Sequence, residues 1–130
     1  MRPTHQTEVP RGVPDCLKKR RLLNDNALTP DACRSYGEKF LALDYWEDAL
    51  EFFLKADYTP GLQQLKELAV AEGDAYLLRR LGPQPPEVWR QAAAQAEKLG
   101  KLVFARLARE QARDQEPSRE HQEQPEPDDS

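Results

Sequence analysis

The 130-residue chain contains little histidine and no long apolar run, and each shortage excludes a class of protein. Its two histidines, His5 and His121, lie in segments without hydrophobic periodicity, so neither is expected to be held in a site as a general base. No apolar run approaches the roughly 18 residues that span a bilayer, and no secretory leader opens the chain. These shortages predict a cytoplasmic protein that is not an enzyme and does not enter a membrane.

Motifs that bind phosphate, dinucleotides or metals are also missing. The sequence has no Gly-rich phosphate loop, no nucleophile elbow and no paired metal-ligand spacing. The only cysteines, Cys16 and Cys33, have no histidine near them, which argues against a zinc site. A disulfide between them is disfavoured because cytosolic thiols are kept reduced. The sequence therefore predicts no metal and no cofactor.

Charge and proline divide the chain into segments. Positive charge is concentrated near the beginning and negative charge at the end, so the middle is nearly neutral and lacks the basic face of a nucleic-acid-binding domain. Neither end has enough large apolar residues to offset its ordering entropy by burial. The predicted division is a disordered arm at 1–14, a basic lead-in at 15–29 that can hold a short helix, a folded domain at 30–113, and an acidic disordered tail at 114–130.

The folded segment carries repeated start and stop signals for helices. Thr29 and Thr59 each precede a proline, and Asp44 and Asp74 are suited to cap the helices that follow them. Glycines and aspartates mark the ends. The predicted helices run from Pro30 to about Ala42, from Asp44 to near Asp57, from Thr59 to Gly73, from Asp74 to Gly82, from Pro86 to Gly100, and from Leu102 to Ala112. No segment alternates like a strand, so the fold class is all-α.

Turns of one to four residues between these helices predict three antiparallel hairpins. The first hairpin also carries small and aromatic residues at fixed spacing: Cys33-x-x-Tyr36-Gly37-x-x-Phe40, then Ala49-x-x-x-Phe53 and Ala56. This pattern resembles the tetratricopeptide repeat. The third hairpin matches through Trp89, Ala92, Ala93, Ala96, Ala105 and Ala112, with Arg109 where an aromatic residue is expected. The middle hairpin departs most, because Glu72 occupies an aromatic position.

The resemblance implies a short right-handed superhelix of stacked hairpins whose groove receives a peptide or helix of a partner protein. The chain is accordingly expected to be a scaffold or adaptor. Few stacked repeats leave exposed end faces, so self-association is also expected. The side chains predicted to line the groove are Arg34, Glu38, Tyr45, Gln63, Lys66 and Arg90.

A basic run at Lys18, Lys19, Arg20 and Arg21, flanked by leucines, has three interpretations. It can supply phosphate contacts, which makes the alternative function that of a nucleic-acid-associated regulator. It can instead belong to a short helix that docks on the first hairpin and leaves its charges in water. The third interpretation is that the acidic tail folds back onto it.

An acidic cluster at Asp44, Glu47, Asp48 and Glu51 also has two interpretations. Three of its members share one helix face, which suggests a divalent-metal or carboxylate-catalytic site. The simpler interpretation, which we favour, is a solvated helix face with Asp44 as its cap. Cys33 occupies a packing position of the repeat pattern and is expected to be buried.

Overall fold

The computed structural model describes residues 12–115, in which every regular element is a helix. The prediction of an all-α fold is confirmed for this part of the chain. The arm and the tail, which were predicted to be disordered, lie almost entirely outside the described residues. The helices are α1 Cys16–Leu23, α2 Pro30–Ala42, α3 Trp46–Ala56, α4 Thr59–Glu72, α5 Ala75–Arg80, α6 Pro86–Lys98 and α7 Leu102–Gln115. Among them, no helix has the length and apolar character needed to cross a membrane.

The chain forms two compact units, with Lys66 as the last residue of the first and Glu67 as the first residue of the second. The first unit is built on α1, α2 and α3, and the second on α5, α6 and α7. The division falls within α4. The stacking of hairpins into a superhelix remains a prediction.

The starts of α2 and α5 confirm their predicted caps. The hydroxyl of Thr29 accepts a hydrogen bond from the backbone N–H of Ala32 at 3.1 Å, and Pro30 occupies the first turn. The carboxylate of Asp74 accepts from the N–H of Leu77 at 3.0 Å. Each cap satisfies a donor that has no partner within its own helix.

Asp44 does not cap α3, and that prediction is wrong. Its φ of 63° places it in the left-handed region, and the N-cap of α3 is Tyr45, which makes no side-chain cap bond. Asp44 instead ends α2. Its backbone N–H donates to the carbonyl of Leu41 at 2.9 Å, and the N–H of Tyr45 donates to the carbonyl of Phe40 at 3.0 Å. This is the Schellman pattern of a helix end, which requires a left-handed residue. Aspartate is one of the few residues besides glycine that visits this conformation.

In the first unit, α2 and α3 pack as an antiparallel pair through aromatic rings. Phe52 lies against Phe40 and Tyr36, with ring centroids 5.7 and 5.3 Å apart, while Phe53 lies against Gly37. Only three residues separate the two helices, so the second returns beside the first in the antiparallel direction. A Cβ on Gly37 would come within 2.5 Å of the Phe53 ring, so the close approach depends on that glycine.

In the second unit, α6 and α7 pack through alanines. The residues buried between and around these helices are Trp89, Ala92, Ala93, Ala96, Ala105, Ala108 and Ala112. The end of α4 joins this core at Gly73, whose missing Cβ would lie 2.5 Å from the backbone of Ala96. Helix α5 also contacts α7: the ring of Tyr76 packs edge-on against that of Phe104, with ring centroids 5.5 Å apart.

We predict that Gly73→Ala destabilises the second unit more than Gly100→Ala does. Both glycines have positive φ, 64° and 76°, but a Cβ at Gly100 meets nothing within 4 Å. Gly100→Ala therefore costs only left-handed strain, about 1–2 kcal/mol, whereas Gly73→Ala adds a steric clash of about 1–3 kcal/mol. Urea unfolding followed by helical circular dichroism measures both losses. Equal losses would show that the approach to Ala96 does not constrain the fold.

Candidate functional site

The predicted partner-binding residues Arg34 and Glu38 lie together on the exposed side of α2. Their side chains form an ion pair one helical turn apart, with 3.3 Å between Arg34 Nε and Glu38 Oε2. The guanidinium of Arg34 also lies over the ring of Tyr58, 5.1 Å from its centroid. These contacts hold Arg34 between a carboxylate and an aromatic face.

The other predicted groove residues lie in different surroundings. Tyr45 is half-buried in the turn after α2, with its ring 6.4 Å from that of Phe40, so it closes the Schellman turn and is a packing residue. Gln63 is exposed and Lys66 half-buried, both on α4. Arg90 is exposed on α6, in the second unit.

The basic run forms α1, and its four cations are not equivalent. Lys19 turns toward α3, where its ammonium bonds to the carboxylates of Asp48 and Glu51, the latter at 2.7 Å. Lys18, Arg20 and Arg21 remain exposed. Partial burial lowers the pKa of Lys19, but the hydrogen bonds and charges of the two carboxylates outweigh it, so the pKa lies above 10.5.

The ion pair with Lys19 gives Asp48 and Glu51 a structural role. The sequence had suggested either a metal or catalytic site or a solvated helix face for the acidic cluster, and neither interpretation included this role. Asp48 and Glu51 join α1 to α3. Within residues 12–115, no group of three or more His, Cys, Asp or Glu side chains is placed to hold a metal ion. No local sequence pattern could predict this ion pair, because Lys19 and Asp48 are 29 residues apart in the chain.

The two cysteines differ in exposure and form no disulfide. Cys33 is 1% exposed, as predicted, and its burial raises the pKa of the thiol, which disfavours the reactive thiolate. Cys16 is exposed at the start of α1. Both thiols are free, so Cys33 acts as a small apolar residue in the core of the first unit.

A groove of about 360 Å³ lies between α6 and α7 in the second unit. Alanines form its floor and arginines form its rim, because the alanine side chains bring the two helices together and leave a trough between the longer side chains beside them. Seven residues line the groove: Arg90, Ala93, Ala94 and Glu97 from α6, and Arg109, Ala112 and Arg113 from α7.

The groove is positively charged. Three arginines and one glutamate line it, and that glutamate, Glu97, forms an ion pair with Arg109 across the two helices. Both side chains of the pair are about half exposed, so water and added ions reach it. A planar guanidinium binds carboxylates in a bidentate manner, and the alanine floor admits an apolar side chain. The arrangement is suited to binding a carboxylate-bearing segment.

Of the three arginines on the rim, Arg90 was among the predicted partner-binding residues, whereas Arg109 and Arg113 were not. Arg109 was a visible departure from the repeat pattern, since it stands where an aromatic residue is expected. In the structure Arg109 lines the groove.

A second cavity, of about 500 Å³, lies along α1. Leu17, Arg20, Arg21 and Asn24 line it, and Leu17 is 73% exposed. This surface combines two cations with an exposed leucine.

Comparison of the chain with models of protein families, with curated proteins and with solved structures finds no match.

We predict that Lys19→Gln lowers the free energy of unfolding by up to about 1 kcal/mol, while Lys18→Gln, the control on the same helix, leaves it unchanged. Because the pKa of Lys19 is higher in the folded chain, its stabilisation is complete below 10.5 and is lost as the pH rises through the raised value. Denaturant unfolding between neutral and strongly alkaline pH measures this. A difference between wild type and Lys19→Gln that grows with pH would contradict the ion pair.

Proposed function

We propose that the chain is a cytoplasmic, non-enzymatic interaction module that binds a segment of a partner protein in the groove between α6 and α7. The observation that carries the proposal is the groove itself, with its alanine floor and its rim of Arg90, Arg109 and Arg113. Arginine is the residue most enriched, together with aromatic residues, at the energetic centres of protein interfaces.

The turn between the two groove helices supports this proposal. Leu99, Leu102 and Val103 are between 50% and 69% exposed there. Exposed apolar residues that cluster in one place are typical of interaction surfaces. We therefore expect the partner segment to combine carboxylates with apolar side chains. The same apolar turn is the surface to which we assign the predicted self-association.

We further propose that the helical pairs are degenerate tetratricopeptide-like hairpins. The packing of α2 on α3 supports this, since Gly37 admits the ring of Phe53 and Ala49 is fully buried. In that pattern small residues let the two helices approach closely, and the exposed side chains of the first helices are available to a partner. The pair Arg34 and Glu38 is the second surface to which we assign partner contacts.

Filling the groove tests the proposed function. Ala94 is exposed in the groove, so Ala94→Trp occupies it without disturbing the buried alanines. Ala71→Trp is the matched control, because Ala71 is also an exposed helical alanine of the second unit but does not line the groove. The measurement is quantitative mass spectrometry of proteins recovered from native lysate on the immobilised chain.

We expect at least one recovered protein to fall by about tenfold or more with Ala94→Trp and to persist with Ala71→Trp, since a tenfold loss corresponds to about 1.4 kcal/mol of binding. Sedimentation of both variants shows whether self-association has changed. If no protein distinguishes the wild-type chain from Ala94→Trp, the groove is not a partner-binding site.

A second candidate function, nucleic-acid association, is favoured by the three exposed cations of α1, Lys18, Arg20 and Arg21. Each phosphate contact contributes a slope of about −0.9 to the dependence of log affinity on log salt concentration. The double variant Arg20→Gln/Arg21→Gln is therefore expected to reduce the slope for random duplex DNA by about 2. The control is Arg79→Gln/Arg80→Gln, an exposed pair on α5. Absence of duplex binding at low salt would exclude this candidate.

A further inference from the structure

The α6–α7 groove lies beside the point where the acidic end of the chain begins. Helix α7 ends at Gln115, and Arg113 in its last turn lines the groove. The segment 116–130 follows immediately and contains six Asp and Glu residues against one arginine. A positively charged groove and a strongly negative segment are therefore consecutive in the same unit.

From this juxtaposition we infer that the segment 116–130 occupies the α6–α7 groove in the free chain and must be displaced by a partner. The inference rests on the proposed function, because it names the chemistry that the groove recognises and the way in which access to it is regulated. The recognised chemistry is a run of carboxylates presented by an extended peptide. The occupant is the chain's own acidic end.

The length of the segment permits this return. From Arg109 to Gln115 α7 rises only about 9 Å, at 1.5 Å per residue. An extended chain covers roughly 3.3 Å per residue, so about three to five residues after the helix end reach back past Arg109. The fifteen residues of 116–130 are sufficient for the reversal and for the groove, and their carboxylates are distributed along that length.

Electrostatics at the end of α7 favour the same placement. The carboxyl end of a helix carries a partial negative charge, so the acidic residues Asp114 and Glu116 are unfavourable there unless cations offset them. Arg113 lies in that last turn, and Arg90 lies across the groove on α6. Guanidinium groups that bind the returning carboxylates relieve this repulsion.

The nature of the segment makes such an occupant easy to displace. It contains no large apolar residue, so it leaves the alanine floor without an apolar contact. Its attachment next to the groove gives it a high effective concentration, which compensates for weak individual ion pairs. A partner that adds an apolar side chain to its carboxylates gains contacts that the segment cannot make.

The basic helix α1 is the competing place for the same segment. Its Lys19 is engaged by Asp48 and Glu51, but Lys18, Arg20 and Arg21 are exposed, so α1 is no less positive than the groove. The groove is favoured because it lies in the same unit as the segment and next to its start. The experiment described next therefore measures contact of the segment with both the α6–α7 groove and α1.

Paramagnetic relaxation in the 130-residue chain tests the inference. A spin label is attached at Ser130→Cys in a Cys16→Ser background, since Cys33 is buried and does not react. The matched control has the same label and length, but all six acidic residues of 116–130 are changed to their amides. Because covalent proximity is equal in the two chains, any difference between them reports the charges.

At about 20 mM salt, where screening extends over roughly 20 Å, we expect the amide signals of Ala93, Ala94 and Ala112 to weaken about twofold more in the acidic chain than in the amide control. The difference should vanish at about 0.5 M salt and in the double variant Arg90→Gln/Arg113→Gln. Equal signals in the two chains would overturn the inference. Weakening confined to Arg20 and Arg21 would also overturn it, in favour of α1.

A second measurement separates this inference from the proposed function. A fluorescent peptide with the sequence of residues 116–130 should bind the amide chain at least about threefold more tightly than the native chain, because competition from the attached segment is absent. The Ala94→Trp change should remove that binding. If Ala94→Trp abolishes recovery of a lysate partner while the peptide does not bind, the proposed function stands and the inference fails.

Discussion

The structure depends on one way of ending a helix. At the ends of α2, α3, α4 and α6 a left-handed residue reverses the backbone, and the next N–H bonds back to a carbonyl of the helix's last turn. These residues are Asp44, Asp57, Gly73 and Gly100. Because only two or three residues separate each of these helices from the next, the following helix starts close to where the preceding one stopped. The pairing of α2 with α3 and of α6 with α7 follows from this constraint.

Close approach of the paired helices depends in turn on small residues. Gly37 admits the ring of Phe53 in the first unit, and Gly73 lies against Ala96 in the second. The alanines that allow α6 and α7 to pack also leave the space between their longer neighbours unfilled. The groove is thus a consequence of the same packing, and three arginines lie on its rim.

Several charged side chains join neighbouring helices within a unit. Lys19 joins α1 to α3 through two carboxylates, and Lys101 of α7 bonds to the carbonyl and carboxylate of Glu72 at the end of α4. These pairs satisfy groups within the fold. The groove retains more positive than negative side chains, and the acidic excess of the chain is concentrated in the residues directly after α7.

Much of the helical organisation was determined by the sequence alone, because it rests on local chemistry. Thr29 with Pro30, Asp74, Gly73 and Gly100 act on backbone groups within a few residues, so their positions predicted helix starts and ends. Asp44 was mistaken for a helix start because an aspartate is suited both to an N-cap and to a left-handed helix end. Only its backbone angle distinguishes the two.

The groove and the ion pair of Lys19 were decided by tertiary structure. Arg90 was predicted as a contact residue, but the other two rim arginines, Arg109 and Arg113, lie on a different helix. Whether the three come together depends on how α6 and α7 are aligned. Lys19 and Asp48 are likewise distant in the chain. Contacts between side chains far apart in sequence leave no periodic or local signal, because their distance depends on helix packing and not on residue spacing.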